Sequence, residues 1–183
     1  GDIVETNDTV IERYDYKPTN GNTIYGNATV NNGESLDIVR VQMGTMDNSS
    51  VAGEDTYTNY TQSVDPVVLF RGTSDSLLVY NAKAPTMGLS QTPGGWMKVY
   101  IDWNRDGVFE GVTERVYSDT VKPDQSINRM LVNVPANNVY GKTRMRIMLA
   151  QDDVEHIFEA NTAIPRGEIE DYLVDIRPIE DNN

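Results

Sequence analysis

The sequence predicts an all-β fold, an antiparallel two-sheet β-sandwich with jelly-roll-like crossings. Short runs of alternating apolar and polar residues recur along the chain, bounded by Gly, Pro, Asn and Asp, whereas helical periodicity is hard to find. Seven to nine of these runs fit within about 165 residues, a density typical of two packed sheets. Because 183 residues can bury a sizeable core, the chain needs no disulfide or metal in order to fold.

The strand pattern is carried by short segments spread over most of the chain. In chain order they are residues 26–30, 37–43, 67–70, 76–82, 97–103, 115–121, 128–134, 143–149 and 171–177. The two clearest, 97–103 and 143–149, alternate as half-buried antiparallel strands do. Their inward positions are Val99, Ile101, Trp103, Thr143, Met145, Ile147 and Leu149. Their other positions are predicted to face outward: Lys98, Tyr100, Asp102, Arg144 and Arg146.

A single domain is predicted over residues 13–178. Residues 1–12 are polar and lack a convincing period, so we interpret them as an N-terminal linker, and residues 179–183 as a C-terminal tail. Two connections, 44–59 and 150–167, are long for hairpin loops. Their length predicts crossing or functional loops.

Composition excludes several classes of function. The net charge of −13 repels phosphate backbones and anionic lipid surfaces, and no apolar run approaches the roughly 20 residues of a membrane span, so neither nucleic acid nor a membrane is a predicted partner. The absence of cysteine removes disulfides, thiolate metal sites and cysteine nucleophiles. The single histidine, His156, removes every site built on several imidazoles.

The stretch VYIDWNRDGVFEG, residues 99–111, reads like a calcium-binding loop. Its first, third, fifth and seventh positions would supply oxygen ligands, and a glycine stands sixth, where such loops turn sharply. The ligand positions are filled by Asp102, Asn104, Asp106 and the carbonyl of Val108, and the turn position by Gly107. This agreement predicts a site for Ca²⁺ in the loop.

The same loop lacks the closing ligand of a helix–loop–helix calcium site. Its twelfth position is Thr113, and the nearest acid, Glu114, comes one residue too late. The flanking segments also read as strands, so the helical class is rejected. An alternative stays open, in which Asp and Asn side chains bond to their own backbone in a hairpin turn and Gly107 takes a positive φ.

A second acidic cluster lies in RGEIEDYLVDI, residues 166–176. Three carboxylates within four residues, Glu168, Glu170 and Asp171, repel one another unless cations or donors neutralise them. One metal ion between this cluster and the loop at Asp102 would serve both. In a strand, Glu168 and Glu170 share a face and Asp171 takes the other, so all three cannot bind one ion unless the strand starts later than Glu170. We rank Glu170 and Asp171 above Glu168 as ligands.

The chain resembles the GEVED domain family. The stretch GEIEDYLVDI is similar to the signature that names the family, and VYIDWNRDGVFE and NVPANNVYGKTRMRIML precede it in the family's order. Upstream, IVRVQMGTMDNSSVAGEDTYTNYT is similar to the family's N-terminal portion. The resemblance spans nearly all of the chain after residue 13 and is most specific in the C-terminal half.

This resemblance implies a non-catalytic β-sandwich module of secreted and surface proteins of bacteria. It implies a structural calcium ion held by the loop residues, with the closing ligands among Glu168, Glu170 and Asp171. It further implies an exported domain with an accessory or adhesion role, binding a protein or a glycan. Family members commonly carry cysteines before the signature strand; this chain has none, so a shared disulfide is excluded.

Two other functions remain as alternatives. Exposed aromatic rings bind sugars, and Tyr57, Tyr60 and Trp96 are the candidates for a carbohydrate-binding module. A hydrolase domain would need a pocket with converging carboxylates. His156 lies among acids, with Asp152 and Asp153 as a further metal candidate, but no serine stands in a nucleophile context, so we predict that the domain is not an enzyme.

Overall fold

The computed structural model describes residues 25–26, 28–32, 36–53, 56–83, 94–121, 127–138, 140–151 and 158–179. Within them the chain forms two β-sheets and a single turn of 3-10 helix, so the all-β sandwich prediction is confirmed. No helix in these ranges is long and apolar enough to cross a bilayer. His156, Asp152, Asp153 and the linker at 1–12 lie outside the described residues, and the division at 13 and 178 stays a prediction.

Eleven strands are defined in the described ranges. They are β1 (Val30–Asn32), β2 (Leu36–Met43), β3 (Met46–Ser49), β4 (Tyr57–Asn59), β5 (Val67–Phe70), β6 (Ser74–Lys83), β7 (Gly95–Ile101), β8 (Arg115–Val121), β9 (Ile127–Asn133), β10 (Gly141–Gln151) and β11 (Ile164–Arg177). The 3-10 turn, Tyr60–Gln62, follows β4. The strand bounds predicted for β5 and β8 are confirmed.

Three expectations about the strands were wrong. Of the described residues between 26 and 30, Val30 alone belongs to a strand, β1. The connection 44–59 contains β3 and β4, so it is not one long loop. The last strand, β11, begins seven residues before the predicted start at Asp171 and includes all three acids of the signature.

The larger sheet has the order β1-β11-β10-β7-β8, and the smaller sheet has the order β3-β2-β6-β9. β11 is the long strand around which the larger sheet is organised. One edge of β11 pairs antiparallel with β10, and the other edge accepts β1, β4 and β5 one after another, all parallel. These parallel pairings depart from the predicted antiparallel sandwich, because short segments from the first half of the chain return to the same edge of one long strand.

The apolar side chains form two clusters rather than one. The first fills the space between the sheets and includes the inward residues predicted for β7 and β10. The second lies on the outer face of the larger sheet, where Tyr100, Phe109, Met148, Phe158 and Ile169 pack together. β7 and β10 are therefore buried on both faces.

The outward face predicted for β7 and β10 was consequently wrong. Lys98 and Arg146 are each 1% exposed, and Tyr100 and Asp102 are fully buried. Lys98 donates an ammonium proton to the carbonyl of Phe158. The alternation of apolar and polar residues did identify the two faces of each strand. The long polar side chains on the outer face are nevertheless buried, because their polar ends form hydrogen bonds with the chain segments that cover this face.

A buried carboxyl group in β2 makes stability depend on pH. Asp37 is 1% exposed, and neither carboxyl oxygen makes a hydrogen bond of normal geometry within the described residues. Burial raises the pKa of Asp37 from 3.8 to about 6, against a smaller opposite effect of the Gly53 amide. The folded state therefore holds this proton more tightly than the unfolded state does, so the stabilisation is complete below pH 4 and is lost as the pH rises through about 6.

We expect Asp37→Asn to remove this pH dependence. At pH 7 the variant should be more stable than the parent by roughly 2–3 kcal/mol, because the neutral amide carries no desolvated charge. Urea denaturation at several pH values between 4 and 8 measures the difference, with Asp119→Asn at an exposed position as control. Parallel curves for Asp37→Asn and the parent would contradict the assignment.

Candidate metal-binding loop

The segment between β7 and β8, residues 102–114, folds back on its own backbone. The two side-chain oxygens of Asp102 accept hydrogen bonds from the amides of Arg105 (2.6 Å) and Gly107 (3.0 Å). Asn104 accepts from the amide of Asp106 (2.8 Å), and Asp106 accepts from that of Val108 (2.9 Å). Each polar side chain at an odd position thus bonds to an amide further along the loop.

The backbone of the loop passes twice through the left-handed region. Gly107 has φ +84°, which confirms the turn expected at that residue, and Arg105 has φ +62°. The Arg105 side chain leaves the loop and donates to the carbonyls of Tyr140 and Lys142. These features are shared by the calcium loop and by the hairpin alternative, so the backbone alone does not choose between them.

Asp102 is the residue that joins the loop to the rest of the sheet. Its carboxylate also accepts the Tyr25 hydroxyl at 2.8 Å, its carbonyl accepts the Thr143 hydroxyl at 2.7 Å, and its amide donates to the Arg144 carbonyl. Burial raises the pKa of Asp102, and its hydrogen-bond donors oppose that shift. A carboxylate buried in this way holds its oxygens in one orientation.

Glu114 supports the loop from beneath. It is buried, and its carboxylate accepts the amides of Trp103 (2.8 Å), Asn104 (3.2 Å) and Glu110 (3.0 Å). Burial raises the pKa of Glu114 to about 7, while these amides act in the opposite direction. Glu114, which comes one residue too late to be a closing ligand, therefore connects the beginning of the loop to its end through hydrogen bonds. This role was not predicted from the sequence.

The donor set of the loop fits a hard cation. A carboxylate or amide oxygen has two lone pairs, and the Oδ1 atoms of Asp102, Asn104 and Asp106 each accept one amide proton. One acceptor direction remains on each, as calcium requires of its oxygen ligands. Within the described residues, no group of three or more Asp, Glu or His side chains is close enough to hold a metal.

The other predicted ligands are not gathered at this loop. Glu168 and Glu170 lie on the face of β11 that meets the smaller sheet. Glu168 accepts the amide of Ile38 at 2.6 Å, and Glu170 accepts the hydroxyl of Tyr172 at 2.9 Å. The sharing of one face by these two glutamates agrees with the strand geometry, and it separates them from Asp171.

Asp171 lies on the outer face of the larger sheet, where arginines already neutralise it. Arg146 binds both of its oxygens at 2.7 Å, Arg144 approaches at 3.1 Å, and the Tyr57 hydroxyl donates at 3.0 Å. The sequence predicted that cations or donors neutralise the signature acids, and at Asp171 the neutralising cations are the guanidinium groups of Arg144 and Arg146. Sequence spacing could not show this, because Arg144 and Arg146 were predicted to face solvent.

Three aromatic residues predicted as a sugar platform lie in different settings. Tyr57 is partly exposed with its hydroxyl bound to Asp171, and Tyr60 stacks on the buried Tyr172 with ring centroids 5.2 Å apart. Trp96, on β7, is half-buried and donates to Ser118 on β8. Two strands of the sheet, β10 and β11, separate Trp96 from Tyr57, so these rings do not form one binding surface.

The loop, β10 and most of β11 lie within a segment that matches a known protein family. Residues 96–175 match the GEVED domain model. The GEVED match begins in β7 and ends in β11, and it confirms the resemblance seen in the sequence for this segment. The upstream resemblance before residue 96 stays a prediction.

No curated protein matches the chain in a sequence search. Among solved structures, the chain is similar to the CARDB domain of a Pyrococcus furiosus protein crystallised in complex with di-metal ions, with 14% identity, a TM-score of 0.37, and coverage of 85% of this chain and 98% of that chain. That likeness is too low to bear on the metal or on the fold.

The letters of the GEVED signature have separate physical roles here. Gly167 lies where a Cβ atom would approach the Leu149 carbonyl oxygen to 1.8 Å. Glu168 links β11 to the smaller sheet, Glu170 bonds to a tyrosine in the core, and Asp171 neutralises buried arginine. In this chain the signature acids serve the fold.

Proposed function

We propose that this chain is a non-catalytic accessory module of an exported or cell-surface protein, in which the loop at Asp102 binds Ca²⁺. The proposal follows from the GEVED match and from one observation of the structure. Asp102 connects the loop, β10 and Tyr25, and its Oδ1 still has an acceptor direction for a cation. A cation on that atom would stabilise the junction of all three segments.

The proposed ligands are Asp102, Asn104, Asp106 and the carbonyl of Val108, together with water. Glu168, Glu170 and Asp171 are left out of the shell, because each bonds within β11 or to its neighbours. A shell with only two carboxylates fits the millimolar affinity of extracellular calcium modules, and millimolar calcium would keep it occupied. The proposed role of the ion is structural.

The proposed partner is a protein or a glycan bound through the surface of the sandwich. The strongly acidic composition supports a partner other than nucleic acid. A glycan array and a panel of hydrolase substrates separate this module from the alternatives. Binding of one sugar class would favour a carbohydrate-binding module, and turnover of any substrate by the purified domain would overturn the non-catalytic assignment.

Calcium binding is tested with terbium, which binds calcium sites and emits when a nearby tryptophan is excited. Trp103 directly follows Asp102, so we expect sensitised terbium emission that calcium displaces. Saturating calcium should raise the melting temperature by roughly 5–10 °C, since a ligand at about a hundred times its dissociation constant contributes about 2.7 kcal/mol.

A pair of matched variants locates the ion. Asp106→Ala removes a predicted ligand from the exposed side of the loop, and we expect it to abolish terbium emission and the calcium-dependent rise in melting temperature. Asp119→Ala, exposed on β8, removes the same side chain away from the loop and should leave both unchanged. Absence of emission and of any thermal shift in the parent protein would refute the calcium site.

A further inference from the structure

Tyr25 reaches the loop from a distant part of the chain. Its hydroxyl donates to Oδ2 of Asp102 at 2.8 Å, and its amide donates to the carbonyl of Gly107 at 2.6 Å. The Arg146 guanidinium donates to its carbonyl at 2.9 Å, and the Arg144 guanidinium lies 4.3 Å from the centre of its ring. Tyr25 is thus bound to the loop through both its backbone and its side chain.

The backbone of Tyr25 is strained. Its φ is +63°, in the left-handed region that a bulky side chain rarely adopts. Such a conformation persists only where surrounding contacts impose it, and it is concentrated at binding and switching sites. Here the contacts that impose it come from Asp102, Gly107 and the arginines of β10.

The Tyr25 hydroxyl determines which oxygen of Asp102 stays available. Oδ2 accepts both this hydroxyl and the Gly107 amide, which uses its two lone pairs, whereas Oδ1 accepts, among the described residues, the Arg105 amide alone. The Tyr25 hydroxyl and the Gly107 amide therefore hold the Asp102 carboxylate in one orientation and leave the second acceptor direction of Oδ1 for a cation.

We propose that Tyr25 is a positioning residue for the cation loop, and that cation binding and the docking of Tyr25 strengthen each other. This inference rests on the proposed calcium site. If the bound ion fixes Asp102 and Gly107, it also fixes the two groups that hold Tyr25 in its strained conformation. By linkage, the factor by which Tyr25 strengthens cation binding equals the factor by which the cation strengthens Tyr25 docking.

The test compares Tyr25→Phe with Tyr80→Phe. Both variants keep the ring and lose one hydroxyl; that of Tyr80 donates to Gln42 in the smaller sheet, away from the loop. For Tyr25→Phe we expect roughly tenfold weaker terbium binding, because a hydrogen bond to a charged group is lost. For Tyr80→Phe we expect unchanged terbium affinity.

Amide hydrogen exchange at residue 25 should slow about tenfold when calcium is added to the parent protein, and much less in Tyr25→Phe.

The outcomes separate this inference from the calcium site itself. The positioning role is overturned if terbium binds with equal affinity to the parent and to Tyr25→Phe, or if calcium does not change amide exchange at residue 25. Either result leaves the calcium site itself intact. No terbium binding to the parent overturns both. A purely structural role of Tyr25 would lower the melting temperature equally with and without calcium; we expect the larger loss in the presence of calcium.

Discussion

Replacing Asp171 by alanine is expected to destabilise the domain by roughly 3–5 kcal/mol. The carboxylate is fully buried and binds Arg146, which is itself 1% exposed, through two hydrogen bonds of 2.7 Å. Its removal leaves the guanidinium charge buried with only the carbonyls of Tyr25 and Ala160 as acceptors among its described hydrogen bonds. Urea or guanidinium denaturation measures the loss.

A neighbouring ion pair on the same strand provides the control. Asp175 bonds to Arg177, which is largely exposed, and Asp175→Ala should cost less than about 1 kcal/mol. Replacing Asp171 and Arg146 together, by Leu and Met, should recover much of the stability, because no buried charge is then left alone. A cost below 1 kcal/mol for Asp171→Ala would show that Arg146 finds another partner or water.

Gly167→Ala is expected to cost more than about 3 kcal/mol. The added methyl group would lie 1.8 Å from the carbonyl oxygen of Leu149 in the paired strand β10, and φ at this residue is +136°. The clash is with backbone, so no side-chain rotation relieves it. The strands β10 and β11 would have to separate where Ala150 pairs with Gly167.

Gly72→Ala distinguishes this clash from backbone strain. Gly72 also has a positive φ, +73°, but a Cβ atom added there would lie 3.6 Å from its nearest neighbour, the Cβ atom of Ala136. It should therefore cost only about 1–2 kcal/mol, the usual penalty for a left-handed L-residue. Equal losses for the two variants, measured by chemical denaturation, would mean that strain alone accounts for Gly167.

Much of the fold could be predicted from alternation, because the sandwich core follows it. The bounds of β5 and β8, and the inward faces of β7 and β10, came directly from the apolar pattern. Short polar strands such as β4 gave no signal, since three residues have no measurable period. Their hydrogen bonds depend on β11, more than a hundred residues later in the chain.

The candidate site could be predicted only in its local part. The odd-numbered side chains of the loop and the turn at Gly107 are properties of adjacent residues, and the structure places them as expected. The arginines around Asp171 were missed because a buried guanidinium and an exposed one look alike in a sequence. Tyr25 was missed because nothing in the loop specifies a partner 77 positions away.

The position of β11 in the chain has a consequence for how the domain folds. Four strands that precede β11 in the chain pair with it: β1, β4, β5 and β10. Val30, for example, cannot pair until Ile164 has been synthesised. The larger sheet cannot close during synthesis until this strand has left the ribosome. Pairing over such distances is slow, because loop-closure entropy is lost before contacts form. The strands that precede β11 in the larger sheet therefore stay unpaired along one edge in the nascent chain until β11 has been made, and they are open to proteases and to aggregation until then.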